Sequence, residues 1–168
     1  MTDPKEPRAD RAQRLRVSIF HPHFADGGLE RTTIILALEL QRMGHDVEIV
    51  TLDPSHGFVE ELPAGLPLVD LGPKRARHGI FPLWRYLRSR SPDLFISNQS
   101  YANSAAALAH TLARSRGTLV LCERIDPLAD PHVMPALPGV IKLQIARWAY
   151  RRADVIVANS WGVARSLA

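Results

Sequence analysis

The sequence has little cysteine and no long hydrophobic run. Its 168 residues include one cysteine, Cys122, which excludes an internal disulfide and any cluster of cysteines with metal-ligand spacing. No stretch approaches the ~18 consecutive apolar residues that span a bilayer. The first 14 residues, MTDPKEPRADRAQR, are charged and lack the apolar segment of a signal peptide. These absences favour a cytoplasmic protein in which residues 1–14 form a disordered polar tail.

Acidic residues are scarce in the second part of the chain. The first 70 residues carry seven Lys/Arg and twelve Asp/Glu, whereas the rest carry fourteen and five. Residues 71–92 contain no acid, and their basic residues include Lys74, Arg75, Arg77, Arg85 and Arg88. Two interpretations stay open for this segment. It makes a weak contact with the inner face of an anionic membrane, or its arginines are the solvated face of a helix that packs on the core, which the helical spacing favours. No nucleic-acid recognition module is visible, so a nucleic-acid partner is not expected.

Short apolar runs alternate with helical stretches along the chain. The runs lack strict polar alternation, which is typical of parallel strands that are covered on both faces. The candidate strands are LRVSIF, DVEIVTL, LPLVDL, DLFIS, TLVLC and DVIVANS, with helices at about residues 29–43, 81–91, 101–115 and 138–152 and another from Ser160. Such β-α-β repeats with right-handed crossovers predict a doubly wound, mostly parallel, Rossmann-like α/β sheet over residues 15–168.

Two adjacent glycines, Gly27 and Gly28, separate the first strand from an apolar helix that we expect to be buried on most sides. In a doubly wound sheet this loop lies at the ligand-binding edge, where glycines let a ligand approach the backbone and the helix start attracts an anion. The pair is equally compatible with a tight turn that needs no ligand. Gly44 is predicted to end the helix in a left-handed conformation.

Two common nucleotide-binding signatures are missing. The sequence contains neither G-x-G-x-x-G nor G-K-[ST], although Asp53 ends the second strand where a dinucleotide ribose would bind. His21 and His23 flank a proline at the end of the first strand. No third ligand has a defined spacing to them, so we expect them to line a cleft and not to bind a metal.

Four segments, in order, resemble the amino-terminal part of the family-four glycosyltransferases of the GT-B type. They are GGLERTTIILALELQRMGHDVEIVT, SPDLFISNQSYANSAAALA, CERIDP and RWAYRRADVIVANSWGVARSLA. The family pattern in the first is Gly-Gly-x-Glu, an apolar helix, Gly-His-x-Val and a strand. The resemblance implies a transferase that moves a sugar from a nucleotide-sugar donor to an acceptor with retained anomeric configuration, in a cleft between two Rossmann-like domains.

The resemblance also implies a second domain that binds the nucleotide and carries a Glu-x7-Glu motif. No residues follow Ala168 to supply it, so we expect the chain to be a truncated, acceptor-side half that is inactive alone. A nucleotide sugar would act as co-substrate, with no permanently bound cofactor and no metal. The partners would be a sugar or lipid-linked acceptor and the missing domain. A non-catalytic acceptor-binding or interaction module is the alternative, and an NAD-binding Rossmann protein is a more distant one.

The resemblance and the strand ends together predict three groups of site residues. The donor-phosphate loop comprises Gly27, Gly28, Glu30 and Arg31. The acceptor-binding residues are His23, Asn98, Gln99, Ser100, Tyr101 and Asn103, although for Ser100 taken alone a cap of the next helix is the favoured explanation.

The catalytic group is Glu123, Arg124 and Asp126, at the end of the fifth strand. Family members often have a histidine near the reacting hydroxyl there, and this sequence has Glu-Arg-x-Asp-Pro instead. A carboxylate at this place can accept a hydroxyl proton while Arg124 stabilises diphosphate charge. The other interpretation is an arginine–carboxylate pair that only shapes the loop.

Overall fold

The computed structural model describes residues 13–23, 27–54, 62–72, 79–124 and 138–167. Most of the predicted tail, residues 1–12, lies outside this range. The strands are β1 (Arg16–Phe20), β2 (Asp46–Thr51), β3 (Leu68–Asp70), β4 (Leu94–Ser97), β5 (Thr118–Glu123) and β6 (Val155–Ala158). The helices are α1 (Gly28–Arg42), α2 (Ile80–Arg90), α3 (Ser100–Ala113), α4 (Gly139–Tyr150) and α5 (Trp161–Leu167). Each element lies within two residues of its predicted bounds.

The strands form one parallel sheet in the order β3-β2-β1-β4-β5-β6. This is the doubly wound order, and it confirms the predicted Rossmann-like fold class. The chain runs outward from β1 to β3, crosses back, and then runs outward from β4 to β6. The strand order therefore reverses between β1 and β4, where Phe20 lies beside Ser97 in the register.

The sheet has a separate apolar core on each face. One core joins α1, through Ile34 and Ala37, to strand residues such as Ile19 and Ile49. The other joins α2, α3 and α4 to the side chains that point the opposite way, among them Phe20. Both faces of the central strands are covered, which is why their sequences read as continuous apolar runs.

A buried hydrogen-bond cluster fixes α2 on the sheet. The Tyr86 hydroxyl on α2 donates to the Glu48 carboxylate on β2, and it lies 2.6 Å from the Ser18 hydroxyl on β1. Burial, aided by the bond to Glu48, raises the pKa of Tyr86 far above its usual range. The phenol therefore stays protonated and available as a donor, and α2 is held across both strands.

Helix α1 ends as its sequence predicts. Gly44 has φ +94, its amide donates to the Gln41 carbonyl, and the His45 amide donates to the Leu40 carbonyl. These two bonds form a Schellman motif, which needs the left-handed conformation that glycine adopts easily. The expectation that α1 is buried on most sides is wrong at Ile35, which is 61% exposed. One side of α1 packs on this core, and at Ile35 the opposite side is open to solvent.

The strand at one end of the sheet, β6, is apolar and partly open. Val155, Ile156 and Val157 are each 41–46% exposed, although their side chains alternate between the two faces. Within the described residues, no helix is long and apolar enough to cross a membrane.

Gly117 is the glycine whose replacement we expect to be most costly. A Cβ there would lie 2.1 Å from the Pro92 carbonyl oxygen, so the turns before β4 and β5 would have to separate. We expect Gly117→Ala to lower the free energy of unfolding by about 3 kcal/mol. Gly139→Ala is the matched control, because a Cβ on that first residue of α4 meets nothing within 4 Å. Urea unfolding of both variants checks this, and equal stabilities would contradict the packing argument.

Candidate functional site

The predicted site residues come together at the edge of the sheet where the strands end, here called the carboxyl edge. His21 follows β1, Asn98 and Gln99 follow β4, and Glu123 ends β5. These strands are neighbours and run parallel, so their ends meet at one place, beside the start of α1. In doubly wound sheets, ligands bind at this reversal of the strand order.

His21 is at the centre of the site and is fully buried. Its Nδ1 atom lies 3.2 Å from the Thr33 hydroxyl, and its Nε2 atom lies 3.3 Å from Glu30 Oε1 and 3.1 Å from Gln99 Nε2. One ring nitrogen cannot donate to Glu30 and accept from Gln99 at the same time. The protonation of Nε2 therefore decides whether the ring is bonded to the carboxylate on α1 or to the amide that follows β4.

Asn98 connects α1 to the end of β5. Its amide nitrogen donates to the Thr33 hydroxyl, and its amide oxygen accepts from Arg124 Nη2 at 2.7 Å. The Arg124 backbone amide donates to the Ser100 hydroxyl at 3.3 Å. Among the described residues, the guanidinium thus bonds an amide and not a carboxylate, so the alternative of an arginine–carboxylate pair finds no support there.

Asn103, on α3, holds the end of β5 from the other face. Its amide nitrogen donates to the Cys122 carbonyl and to the Glu123 carboxylate. Glu123 is fully buried and Asn103 is 2% exposed. Burial also raises the pKa of the Cys122 thiol, which favours its neutral form at neutral pH.

Several polar atoms in this cluster have no hydrogen-bond partner within the described part of the chain. They are Gln99 Oε1, Asn103 Oδ1, Arg124 Nε and Ser97 Oγ, all at or next to the ends of β4 and β5. A buried polar atom without a partner costs about 1–3 kcal/mol, so each one needs a physical explanation. These atoms comprise two amide acceptors, a guanidinium donor and a hydroxyl that can take both roles, and a ligand with several hydroxyl groups can meet each of these roles.

The two glycines that open α1 have different surroundings. A Cβ on Gly27 would lie 2.7 Å from Glu30 Oε2, so this glycine makes room for the buried Glu30 carboxylate. Gly28 is exposed, and a Cβ there would meet nothing within 4 Å. Neither glycine has a positive φ, so a turn that requires glycine does not explain the pair. Arg31, one turn into α1, is exposed.

The other predicted residues are only partly within the described range. His23 is half-buried and forms a parallel bridge with Asp53 at the end of β2. Tyr101 lies on α3, but its side chain is outside the described residues, as are Asp126, Lys74, Arg75 and Arg77. Arg85 and Arg88 are exposed on α2, whose Leu87 is buried and whose Trp84 packs against the core, as the helical spacing predicts.

Sequence reasoning missed Thr33, and it assigned His21 no specific contacts. Thr33 was read as part of an apolar helix, yet it bonds both His21 and Asn98. A usable signal was present, because Glu30 and Thr33 are three residues apart and share the helix face that carries buried Ile34 and Ala37. Polar residues on a core-facing stripe indicate a buried polar partner.

Metal ligands are not grouped in the described residues. No three His, Cys, Asp or Glu side chains there lie close enough together to hold a metal ion. The expectation that neither a metal nor a permanent cofactor is used stays a prediction.

A doubly wound sheet of this order defines the Rossmann-like class of α/β fold. The sequence matches the model of Glycosyltransferase Family 4 over residues 26–168. The chain therefore belongs to this family, as its four motifs indicate. A comparison with curated protein sequences finds no significant match.

Solved structures share the fold at low sequence identity. HepE from Anabaena, in complex with UDP-glucose, has a TM-score of 0.65 and 19% identity over 91% of this chain and 40% of its own. The lipopolysaccharide outer core galactosyltransferase WaaB has a TM-score of 0.67 and 12% identity over 90% and 41%. The enzyme WbmG of Bordetella bronchiseptica, with NAD and UDP, has a TM-score of 0.55 and 17% identity over 89% and 54%. The chain thus spans about 40% of the length of the first two proteins.

The Thr33 hydroxyl offers a direct test of the buried network. Thr33→Val keeps the shape but removes the partner of both His21 and Asn98, so we expect the free energy of unfolding to fall by about 2 kcal/mol. Thr32→Val is the control, because that exposed hydroxyl bonds only the Gly28 carbonyl of its own helix. Thermal or urea unfolding measures both. A Thr33 variant as stable as the Thr32 variant would show that the network contributes nothing to the fold.

Proposed function

We propose that this chain is the acceptor-side half of a retaining glycosyltransferase that transfers a sugar from a nucleotide sugar to an acceptor hydroxyl. The observation that carries the proposal is a group of polar atoms at the ends of β4 and β5 that have no hydrogen-bond partner within the described residues, namely Gln99 Oε1, Asn103 Oδ1 and Arg124 Nε. Sugars present many hydroxyl groups, each able to donate and accept, and these atoms offer both roles at the strand-order reversal. Family membership supports the reaction class.

The acceptor would bind along the end of β4. Asn98 and Asn103 are buried and held by bonds to Thr33 and Glu123, so we propose that they position the groups around the acceptor at little further cost in side-chain entropy. Gln99 is half-buried and borders the His21 ring. Ser100, Tyr101 and His23 complete the proposed acceptor surface. The acceptor would be a sugar or a lipid-linked sugar.

The donor diphosphate would lie over the start of α1. The exposed Gly28 leaves open space beside the first amides of a 15-residue helix, and the helix dipole favours negative charge there. Arg31 is exposed one turn further along and can reach an anion from the same side. The UDP-glucose bound to HepE, a protein of the same fold, supports a nucleotide-sugar donor.

In the reaction, the acceptor hydroxyl oxygen forms a bond to the anomeric carbon, and the bond from that carbon to the diphosphate oxygen breaks. The hydroxyl proton leaves to a base, and Glu123 and Asp126 are the carboxylates that we propose for this role. The leaving diphosphate gains negative charge, which the Arg124 guanidinium would stabilise. Asn98 holds that guanidinium in place.

Two alternative functions would each give a different experimental result. A non-catalytic module would bind the acceptor and give no transfer even when a donor-binding domain is supplied. An NAD-binding protein would place the ribose at Asp53, and WbmG shows that a protein of this fold can bind NAD. NAD binding by the purified chain, with no effect of nucleotide sugars, would favour that alternative. We propose a cytoplasmic location for the transferase.

Gly28→Ala separates the ligand role of this glycine from a structural role. The added methyl group meets no protein atom and the φ of Gly28 is not positive. The free energy of unfolding should therefore change by less than about 1 kcal/mol. The methyl group would stand where the diphosphate binds, so we expect the transfer rate to fall at least about tenfold. The assay joins the chain to the donor-binding domain of a family member, and the 168-residue chain alone should transfer nothing.

Gly44→Ala is the control for this experiment. Gly44 has φ +94 at the far end of the same helix, so alanine there should lower the free energy of unfolding by about 1 kcal/mol. The transfer rate per folded molecule should be unchanged. If Gly28→Ala loses stability but keeps its rate, as the control does, the diphosphate does not bind at this loop.

A further inference from the structure

A cavity lies at the opposite end of the sheet, the amino edge, where the strands begin. Its volume is ≈ 600 Å³, within the range of small-molecule sites. Its walls are the start of β1, the last turns of α2 and α3, and the turns that lead into β4 and β5. Its charged lining residues are Arg16, Arg88, Arg114, Arg116 and Asp93. The cavity is separated from the proposed transfer site by the length of the strands.

The charge of this cavity is strongly unbalanced. Arg16 forms an ion pair with Asp93 at 3.2 Å, and that pairing lowers the pKa of the Asp93 carboxyl. Within the described part of the chain, the other three arginines, Arg88, Arg114 and Arg116, form no ion pair. Helices α2 and α3 both end at the cavity, and each contributes about −0.5 of an elementary charge. The two helix ends together contribute about −1 elementary charge, which does not balance the three positive guanidinium groups. The cavity therefore attracts anions.

The backbone holds these side chains in place at an energetic cost. Ser91 (φ 45) and Arg114 (φ 50) are the two non-glycine residues with positive φ in the described ranges, and both line this cavity. Helix α1 ends with a glycine in the left-handed conformation, whereas α2 and α3 end with side chains there. Strained residues that the surroundings maintain are concentrated at functional sites. A glycine at position 114 would relieve the strain and remove one of the arginines.

The cavity also offers an unused hydrogen-bonding group. The Ser115 hydroxyl is buried and has no partner in the described part of the chain. Its residue lies between Arg114 and Arg116 in the turn that Gly117 packs against Pro92. A phosphate oxygen can accept a hydrogen bond from a serine hydroxyl, and arginine binds phosphate oxygens through paired, charge-assisted bonds.

We propose that this cavity is a second anion site, which binds a phosphate-bearing ligand through Arg88, Arg114, Arg116 and the Ser115 hydroxyl. Such a ligand is either a free phosphorylated molecule or the headgroup of an anionic phospholipid, since both present the same phosphate oxygens. The site is independent of the proposed transfer reaction, because it shares no residue with the carboxyl edge.

The first test measures binding of inorganic pyrophosphate to the purified chain by titration calorimetry at low ionic strength. We expect Arg114→Gly and Arg88→Gln each to weaken binding about tenfold. Arg114→Gly should unfold at the same temperature as the wild type or higher, because glycine prefers the left-handed conformation, so lost binding cannot be attributed to lost folding. Arg165→Gln removes the same charge from α5, at an exposed residue that lines neither the cavity nor the proposed diphosphate loop, and should leave pyrophosphate binding unchanged.

The second test measures co-sedimentation with phosphatidylcholine vesicles that contain or lack phosphatidylglycerol. Binding to the anionic vesicles that Arg114→Gly and Arg88→Gln weaken identifies a lipid headgroup as the source of the phosphate. Pyrophosphate binding without vesicle binding identifies a free ligand. The proposal is overturned if neither probe binds, if Arg114→Gly and Arg88→Gln leave binding unchanged, or if Arg165→Gln weakens it equally, which would indicate only general attraction to a basic surface.

Discussion

The pair of hydrogen bonds made by the Asn98 side chain is the interaction on which the carboxyl edge depends. Its nitrogen bonds Thr33 on α1 and its oxygen bonds Arg124 after β5, so one amide links a helix to the end of a strand through the middle of the sheet. Asn98 is fully buried, where each amide group needs a partner to offset the loss of water. The network therefore fixes the relative positions of the residues that would meet the acceptor and the diphosphate. Because Thr33 also bonds the His21 ring, the network holds that ring in one orientation.

The glycines show how differently the same residue type is used. Gly44 supplies a backbone conformation, Gly117 lets two turns approach, and Gly27 makes room for the Glu30 carboxylate. Gly28 has none of these structural reasons. We propose that Gly28 leaves space for the donor diphosphate over the start of α1.

Much of the fold could be predicted from the sequence, because parallel strands such as TLVLC are apolar on both faces and alternate with long helical stretches. The grouping of Asn98, Asn103 and Glu123 could also be predicted, because the ends of neighbouring parallel strands meet at one edge of the sheet. The specific hydrogen bonds of Thr33 and of the His21 ring could not be predicted, because they depend on how α1 rotates about its axis. Nor does local sequence show that Ser91 and Arg114 have positive φ, since non-glycine residues adopt that conformation only under tertiary constraint.

The partly open β6 has a consequence for handling the chain. It is the terminal strand of the sheet in the described residues, and three successive apolar side chains on it are two-fifths to one-half exposed. A terminal strand presents backbone amides and carbonyls that can pair with a strand of another molecule, and apolar side chains make such pairing more favourable. Natural sheets discourage this with lysine, proline or a bulge, none of which occurs in VIVA. We therefore expect concentrated samples of the chain to aggregate through this edge, and a lysine on β6 to reduce the aggregation.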